Sequence, residues 1–145
     1  MSQAKSLINT LLVEVFNHIL TIEEDMLKKA GVELSMTEVH VLEAVRNAKE
    51  PTMSVVSRKL RVTMGTLTTS VNTLVNKGFI ERERGEKDRR KVFLKLTDEA
   101  LKVLKIHDKF HDEMIDSVFK DLKLEEDEVL IRSLQNIKDY FQKKF

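Results

Sequence analysis

Apolar residues at Leu7, Ile8, Leu11, Leu12, Val15, Phe16, Ile19, Leu20, Ile22, Met26 and Leu27 recur at the spacing of one face of an α-helix. The stripe is too broad for one modest core contact, and Gly31 is a natural stop for this first helix. Ser35 followed three residues later by Glu38 makes a capping box for a second helix, with Val39, Leu42 and Val45 along one face. Pro51 closes that element, and Thr52 caps a third helix carrying Val55, Val56 and Leu60. Thr63 caps a fourth, in which Leu67, Val71 and Leu74 share a face, and Gly78 stands where a left-handed residue would end it. Residues 79–84 and 91–96 alternate in strand fashion around the polar tip Gly85-Glu86-Lys87-Asp88. Thr97 caps a fifth helix carrying Leu101, Leu104, Phe110, Met114, Ile115, Val118 and Phe119. A sixth is expected from about Glu125, with Val129, Leu130, Leu134, Ile137, Tyr140, Phe141 and Phe145 as its apolar positions. The acidic run 125–128 suits the positive end of that helix dipole.

Two short helices meeting at a turn, followed by a basic hairpin, are the parts of a winged helix-turn-helix. The predicted fold is therefore mainly α with a small β-hairpin wing. Residues 35–97 form the DNA-binding domain, and residues 1–34 and 98–145 form a helical dimerisation region. A core of residues 35–97 has too little surface to cover the apolar faces of the first, fifth and sixth helices, so they bury one another, most economically across the two-fold axis of a homodimer.

Charge sharpens this reading. The chain of 145 residues has a net charge of only +1, but residues 58–96 hold 11 basic and 4 acidic side chains. The positive charge is thus gathered on the helix-turn-helix and hairpin, where phosphate contacts would need it. With Leu67, Val71 and Leu74 inward, the fourth helix presents Gly65, Thr69, Asn72, Thr73 and Asn76, with Thr66 on the flank and Thr63 as cap. Small hydroxyl and amide side chains let a helix sit deep in the major groove and bond to base edges or phosphates. Around the hairpin tip stand Arg82, Arg84, Lys87, Arg89, Arg90 and Lys91. Asp88 would be repelled by DNA and is expected to pair with Arg90 and brace the wing, leaving Arg89 as the preferred minor-groove residue.

Zero cysteines exclude disulfides and thiolate zinc sites and fit a reducing cytoplasm. The N-terminus leads into an amphipathic pattern rather than a signal peptide, and no stretch approaches the roughly 20 apolar residues of a membrane span. No Gly-rich phosphate loop and no nucleophile–histidine–carboxylate set is evident, so no enzyme is expected.

The residues Leu74-Val75-Asn76-Lys77-Gly78-Phe79-Ile80-Glu81-Arg82, then Asp88-Arg89-Arg90 and Leu96-Thr97, resemble the signature of the MarR family of bacterial regulators. The order of elements covers essentially the whole chain. The resemblance implies a homodimer that binds pseudo-palindromic double-stranded DNA and responds to a ligand between its dimerisation and DNA-binding lobes. Within the family, residues 62–74, Val15-Phe16-Asn17-His18-Ile19-Leu20-Thr21-Ile22-Glu23-Glu24 and Lys109-Phe110-His111 are similar to the fatty-acid-synthesis repressors of Gram-positive bacteria. That likeness implies a repressor whose corepressor is long-chain acyl-acyl carrier protein. Many relatives have a Ser cap near Lys123, where lysine has no acceptor to offer.

Two effector chemistries compete. Phe16, Ile19, Leu20, Val39, Phe110 and Met114 have the apolar character of acyl-tunnel walls, and equally of ordinary core. His107 and His111 lie one helical turn apart, and with His40 and Glu24 they offer a tetrahedral zinc set of a kind that zinc-responsive members of the family use. No cofactor is required by the fold, so the alternative is a MarR-type regulator responding to zinc or another small ligand.

Overall fold

The computed structural model describes residues 1–120 and 123–144. Phe145, assigned above to the sixth helix, lies outside the described residues. Helix α1 (Gln3–Thr10), a π-helical segment (Leu11–Val15) and α2 (Phe16–Lys29) open the chain. They are followed by α3 (Met36–Asn47), α4 (Met53–Leu60), α5 (Met64–Asn76), β1 (Ile80–Arg84), β2 (Val92–Leu96), α6 (Asp98–Phe119) and α7 (Glu128–Lys144). The chain divides into two compact units, Met1–Asp108 and Lys109–Phe145.

In the first unit every expected helix start is capped as its sequence dictates. Ser35 and Glu38 form the reciprocal capping box, Thr52 accepts from the Val55 N–H at 3.2 Å, and Thr63 accepts from the Thr66 N–H at 3.1 Å. Gly31 and Gly78 take the left-handed conformation at φ +82° and +84°, ending α2 and α5. The core joins Leu27 of α2, Val39 and Leu42 of α3, Val56 of α4, and Leu67, Val71 and Leu74 of α5 with Ile80, Leu94, Ala100 and Leu104. Each fully buried leucine contributes about 2 kcal/mol, which is why α5 keeps one face inward and the other in solvent. The strands pair antiparallel, Ile80 opposite Leu96 and Arg84 opposite Val92. The segment before α4 lies beside β2, with the Leu94 N–H donating to the Pro51 carbonyl at 2.8 Å.

Three features depart from the sequence reading. The first helix carries a π segment where apolar residues are nearly continuous, a wider turn that a 3.6-residue periodicity does not reveal. The first unit runs past residue 97, because Ala100, Val103, Leu104 and His107 of α6 are buried. Helix α7 begins at Glu128, three residues later than expected, because Asp127 caps it by accepting the Leu130 N–H at 2.8 Å.

Much apolar surface remains open. Leu7, Leu11, Leu12, Phe16 and Leu20 are exposed along α1, the π segment and α2. In the second unit Ile115, Val118, Val129, Ile131, Leu134 and Phe141 are exposed. Among the described residues, no helix is long and apolar enough to cross a membrane.

Candidate nucleic-acid interface

Helix α5 turns Gly65, Thr66, Thr69, Asn72 and Asn76 to solvent, with Thr63 exposed at its cap and Thr73 half-buried. Its threonines are not idle. The hydroxyls of Thr68, Thr69 and Thr73 donate to the carbonyls of Met64, Gly65 and Thr69, four residues back. Their protons are therefore used within the helix, leaving an oxygen lone pair and a methyl group for a partner. A Cβ at Gly65 would meet nothing within 4 Å. Glycine inside a helix costs about 1 kcal/mol relative to alanine, and nothing in this chain requires it.

The wing is a second cationic surface. Strand alternation places Arg82 and Arg84 on one face of β1, with Glu81 and Glu83 on the other, all four exposed. At the tip, Asp88 accepts from the Arg90 N–H at 3.0 Å and from its Nε at 3.2 Å. The expected brace is thus in place. The side-chain bond to Arg90, then the backbone bond, hold the Asp88 carboxyl below its ordinary pKa. Arg84 donates to the Arg89 carbonyl at 3.4 Å, while the Arg89 and Lys87 side chains stand exposed.

One connection escaped the sequence reading altogether. The Arg82 guanidinium donates to the Asn72 side-chain oxygen, tying wing strand to helix α5. The two residues are ten apart, with a turn between, so neither helical nor strand periodicity links them. Arg58, Lys59 and Arg61 at the end of α4 add further basic groups, and Arg61 adopts φ +55° at the turn into α5.

Away from this surface lies a buried ionic network. His107 of α6 is 1% exposed, with Nδ1 2.9 Å from Glu43 of α3 and Nε2 3.4 Å from Glu23 of α2. Beside it, Asp108 takes both arms of Arg46, at 2.7 and 3.0 Å. Burial opposes charging of His107, but the Glu43 hydrogen bond and the charges of Glu43, Glu23 and Asp108 outweigh it. The imidazole consequently titrates above its ordinary range.

This geometry changes the expected metal set. Glu23 and Leu27, one turn apart, form the inward face of α2, so Glu23 rather than Glu24 faces His107. Among the described residues, Glu43, His107 and Asp108 bring ligand atoms within 4.8 Å of one another, whereas Glu24 and His40 belong to no such cluster. Both nitrogens of His107 face carboxylates, and Asp108 is engaged by Arg46. His111 lies in the second unit, its ring edge-on to Phe110 with centroids 6.0 Å apart. Of the proposed acyl-tunnel residues, Phe16 and Leu20 are exposed, Ile19, Phe110 and Met114 are half-buried, and Val39 is sealed in the core, where it can line no open pocket.

Comparison with known proteins agrees with this architecture. The family model for the transcriptional regulators SarA/Rot matches residues 25–107, more than half of the chain. Streptococcus pneumoniae FabT, in a crystal structure with DNA, is 35% identical, with a TM-score of 0.85 over 96% of this chain and 98% of that one. The HTH-type transcriptional regulator SarZ of Staphylococcus haemolyticus is 26% identical over 107 residues, 72% of this chain and 70% of its own length. The HTH-type regulator YhjH of Bacillus subtilis is 28% identical over 93 residues, covering 60% of this chain, and the match spans 53% of that relative.

Proposed function

This chain belongs to the MarR family of winged-helix DNA-binding transcriptional regulators, and from that premise we propose that it represses fatty-acid-synthesis genes as a homodimer. The observation that carries the DNA-reading role is the exposed small-residue face of α5, with open space at Gly65, beside a wing whose tip Asp88 and Arg90 hold. A side chain at Gly65 would stand between the helix and a groove. The fatty-acid assignment rests on the likeness to FabT along nearly the whole chain, together with the α5 sequence at residues 62–74.

In the proposed complex the two copies of α5 enter successive major grooves about 34 Å apart, and the wings reach the flanking minor grooves. Thr63, Gly65, Thr66, Thr69, Asn72 and Thr73 meet base edges and phosphates. Arg82, Arg84, Lys87 and Arg89 supply charge, with Arg90 holding the tip. The exposed apolar stripe of α1, the π segment and α2 supports the dimer, since such a surface is stable only when covered. Long-chain acyl-acyl carrier protein is the proposed corepressor. It acts by binding the DNA-competent spacing of the two reading heads more tightly than the incompetent one.

Fluorescence anisotropy tests this on a palindromic site from a fatty-acid-synthesis promoter, with chelator-treated protein at fixed salt. Tighter binding with the acylated carrier, and no change with the bare carrier, is expected. DNA binding indifferent to the carrier would refute the lipid assignment and direct the search to zinc or another small ligand. In the same assay Arg89→Ala should weaken binding to all sequences and lower the salt slope by about 1, while Thr69→Ala should chiefly alter base preference.

A further inference from the structure

Beyond Arg84 and Val92 the two wing strands stay joined by one further bond, from the Gly85 N–H to the Lys91 carbonyl at 2.9 Å. Past that rung, the Lys91 N–H returns to the Asp88 carbonyl at 3.1 Å. Residues 88–91 are therefore a β-turn, with Arg89 and Arg90 at its two central positions. The Asp88 side chain reinforces the turn by accepting from the Arg90 N–H, two residues on.

This turn lies directly against Gly85. A Cβ at that position would stand 2.5 Å from the Asp88 carbonyl oxygen and 3.2 Å from Cε2 of Phe93. The first separation is far inside van der Waals contact, and the obstacle is main chain, so no change of rotamer relieves it. The same Asp88 oxygen is the acceptor that closes the turn. At Gly31, Gly65 and Gly78, by contrast, a Cβ would meet no atom within 4 Å among the described residues. Of the two central arginines, Arg90 is engaged by Asp88 through its Nε. The Arg89 side chain is exposed, and its carbonyl accepts from Arg84 at 3.4 Å. The turn sets the direction in which Arg89 leaves the wing, and the space at Gly85 sets the turn.

Resting on the DNA-binding reading above, we propose that Gly85 is a positioning residue for DNA binding. By leaving room for the Asp88 carbonyl, it fixes the tip turn that presents Arg89 to the groove. Any side chain at position 85 displaces that carbonyl, opens the Asp88–Lys91 bond and redirects Arg89. Gly85→Ala removes no charge and no side-chain contact, so a loss of electrostatic binding in this variant reports a cation withdrawn elsewhere on the tip.

Fluorescence anisotropy across a salt series tests this, with the full-length protein on a duplex that the wild type selects from a randomised library. Gly85→Ala should weaken binding about tenfold, the loss of one charge-assisted contact. It should also lower the salt slope by about 1, as Arg89→Ala does. On an Arg89→Ala background, Gly85→Ala should change neither quantity, whereas combined with Thr69→Ala on α5 its effect should multiply. In the free protein, amide NMR shifts should be confined to the hairpin, with faster hydrogen exchange at Lys91. Wild-type affinity and salt slope in Gly85→Ala overturn the proposal. A further loss on the Arg89→Ala background overturns it too, because Gly85 then acts through another group. Shifts that spread into α3 and α5, or a variant that does not fold, make Gly85 a residue of the fold and overturn it while DNA binding stands. A wild type that binds no duplex overturns the DNA-binding reading and the proposal with it.

Discussion

At the scale of single residues, His107 is the group whose environment is most at odds with its chemistry. Glu43 and Glu23 face the two nitrogens of an imidazole that is only 1% exposed, favouring its charged form against the burial that opposes it. Its folded-state pKa is raised, so its contribution is fully present below the ordinary histidine pKa of about 6.5 and is lost as pH rises through the folded value. Melting temperature followed from pH 5.5 to 8.5 should fall across that window in the wild type. The His107→Gln variant should lack this component. Removing the ring altogether, in His107→Ala, should cost about 3 kcal/mol by urea denaturation, since it breaks a buried ion-paired cluster and leaves a cavity. Arg61 poses a backbone problem instead. At φ +55° it sits where side chains cost about 1 kcal/mol, so Arg61→Gly should raise the urea midpoint by about that energy while Arg61→Ala does not. Equal midpoints for the two variants would mean that charge, not conformation, governs the position.

Among the elements, the wing gives the clearest contrast between local and distant causes. The Asp88–Arg90 brace spans two residues and was legible from the chemistry of Asp88-Arg89-Arg90 alone. Asp88→Ala should leave melting unchanged, because both partners are at the surface, yet weaken DNA binding several-fold by releasing the tip. Unchanged affinity would show that the tip needs no brace. The Arg82–Asn72 bond depends on how β1 lies against α5, a relation set by Leu74 and Ile80 packing in a shared core. Helix α7 shows the limit of counting charges. Four consecutive acids suggested a start at residue 125, but Asp127, with its short side chain, closes on the Leu130 N–H and fixes the start at Glu128.

For the whole molecule, the open apolar surface along α1, the π segment and α2 is the dominant fact. Phe16 is 54% exposed and Leu11 40% exposed, whereas Leu27, Leu42, Leu67 and Leu74 are sealed in the first unit's core. Sedimentation at low micromolar concentration should give a dimer for the wild type and a monomer for Leu11→Glu/Phe16→Glu. A wild-type monomer would remove the proposed placement of paired helices on DNA. Because the first unit's core excludes both residues, the double variant should keep that unit folded.

Most features that lie within one stretch of chain could be read from the sequence: the caps of α3, α4 and α5, the inward face of α5, the glycine stops, the hairpin and the brace at its tip. Capping, helical periodicity and strand alternation act over a few residues, so composition at those spacings determines them. The tertiary structure alone decided which carboxylate meets His107, where the first unit ends within α6, and that Asn72 and Arg82 form one unit. Those contacts join residues whose separation in sequence carries no signal, and their geometry exists only once the core has fixed the helices and strands against one another.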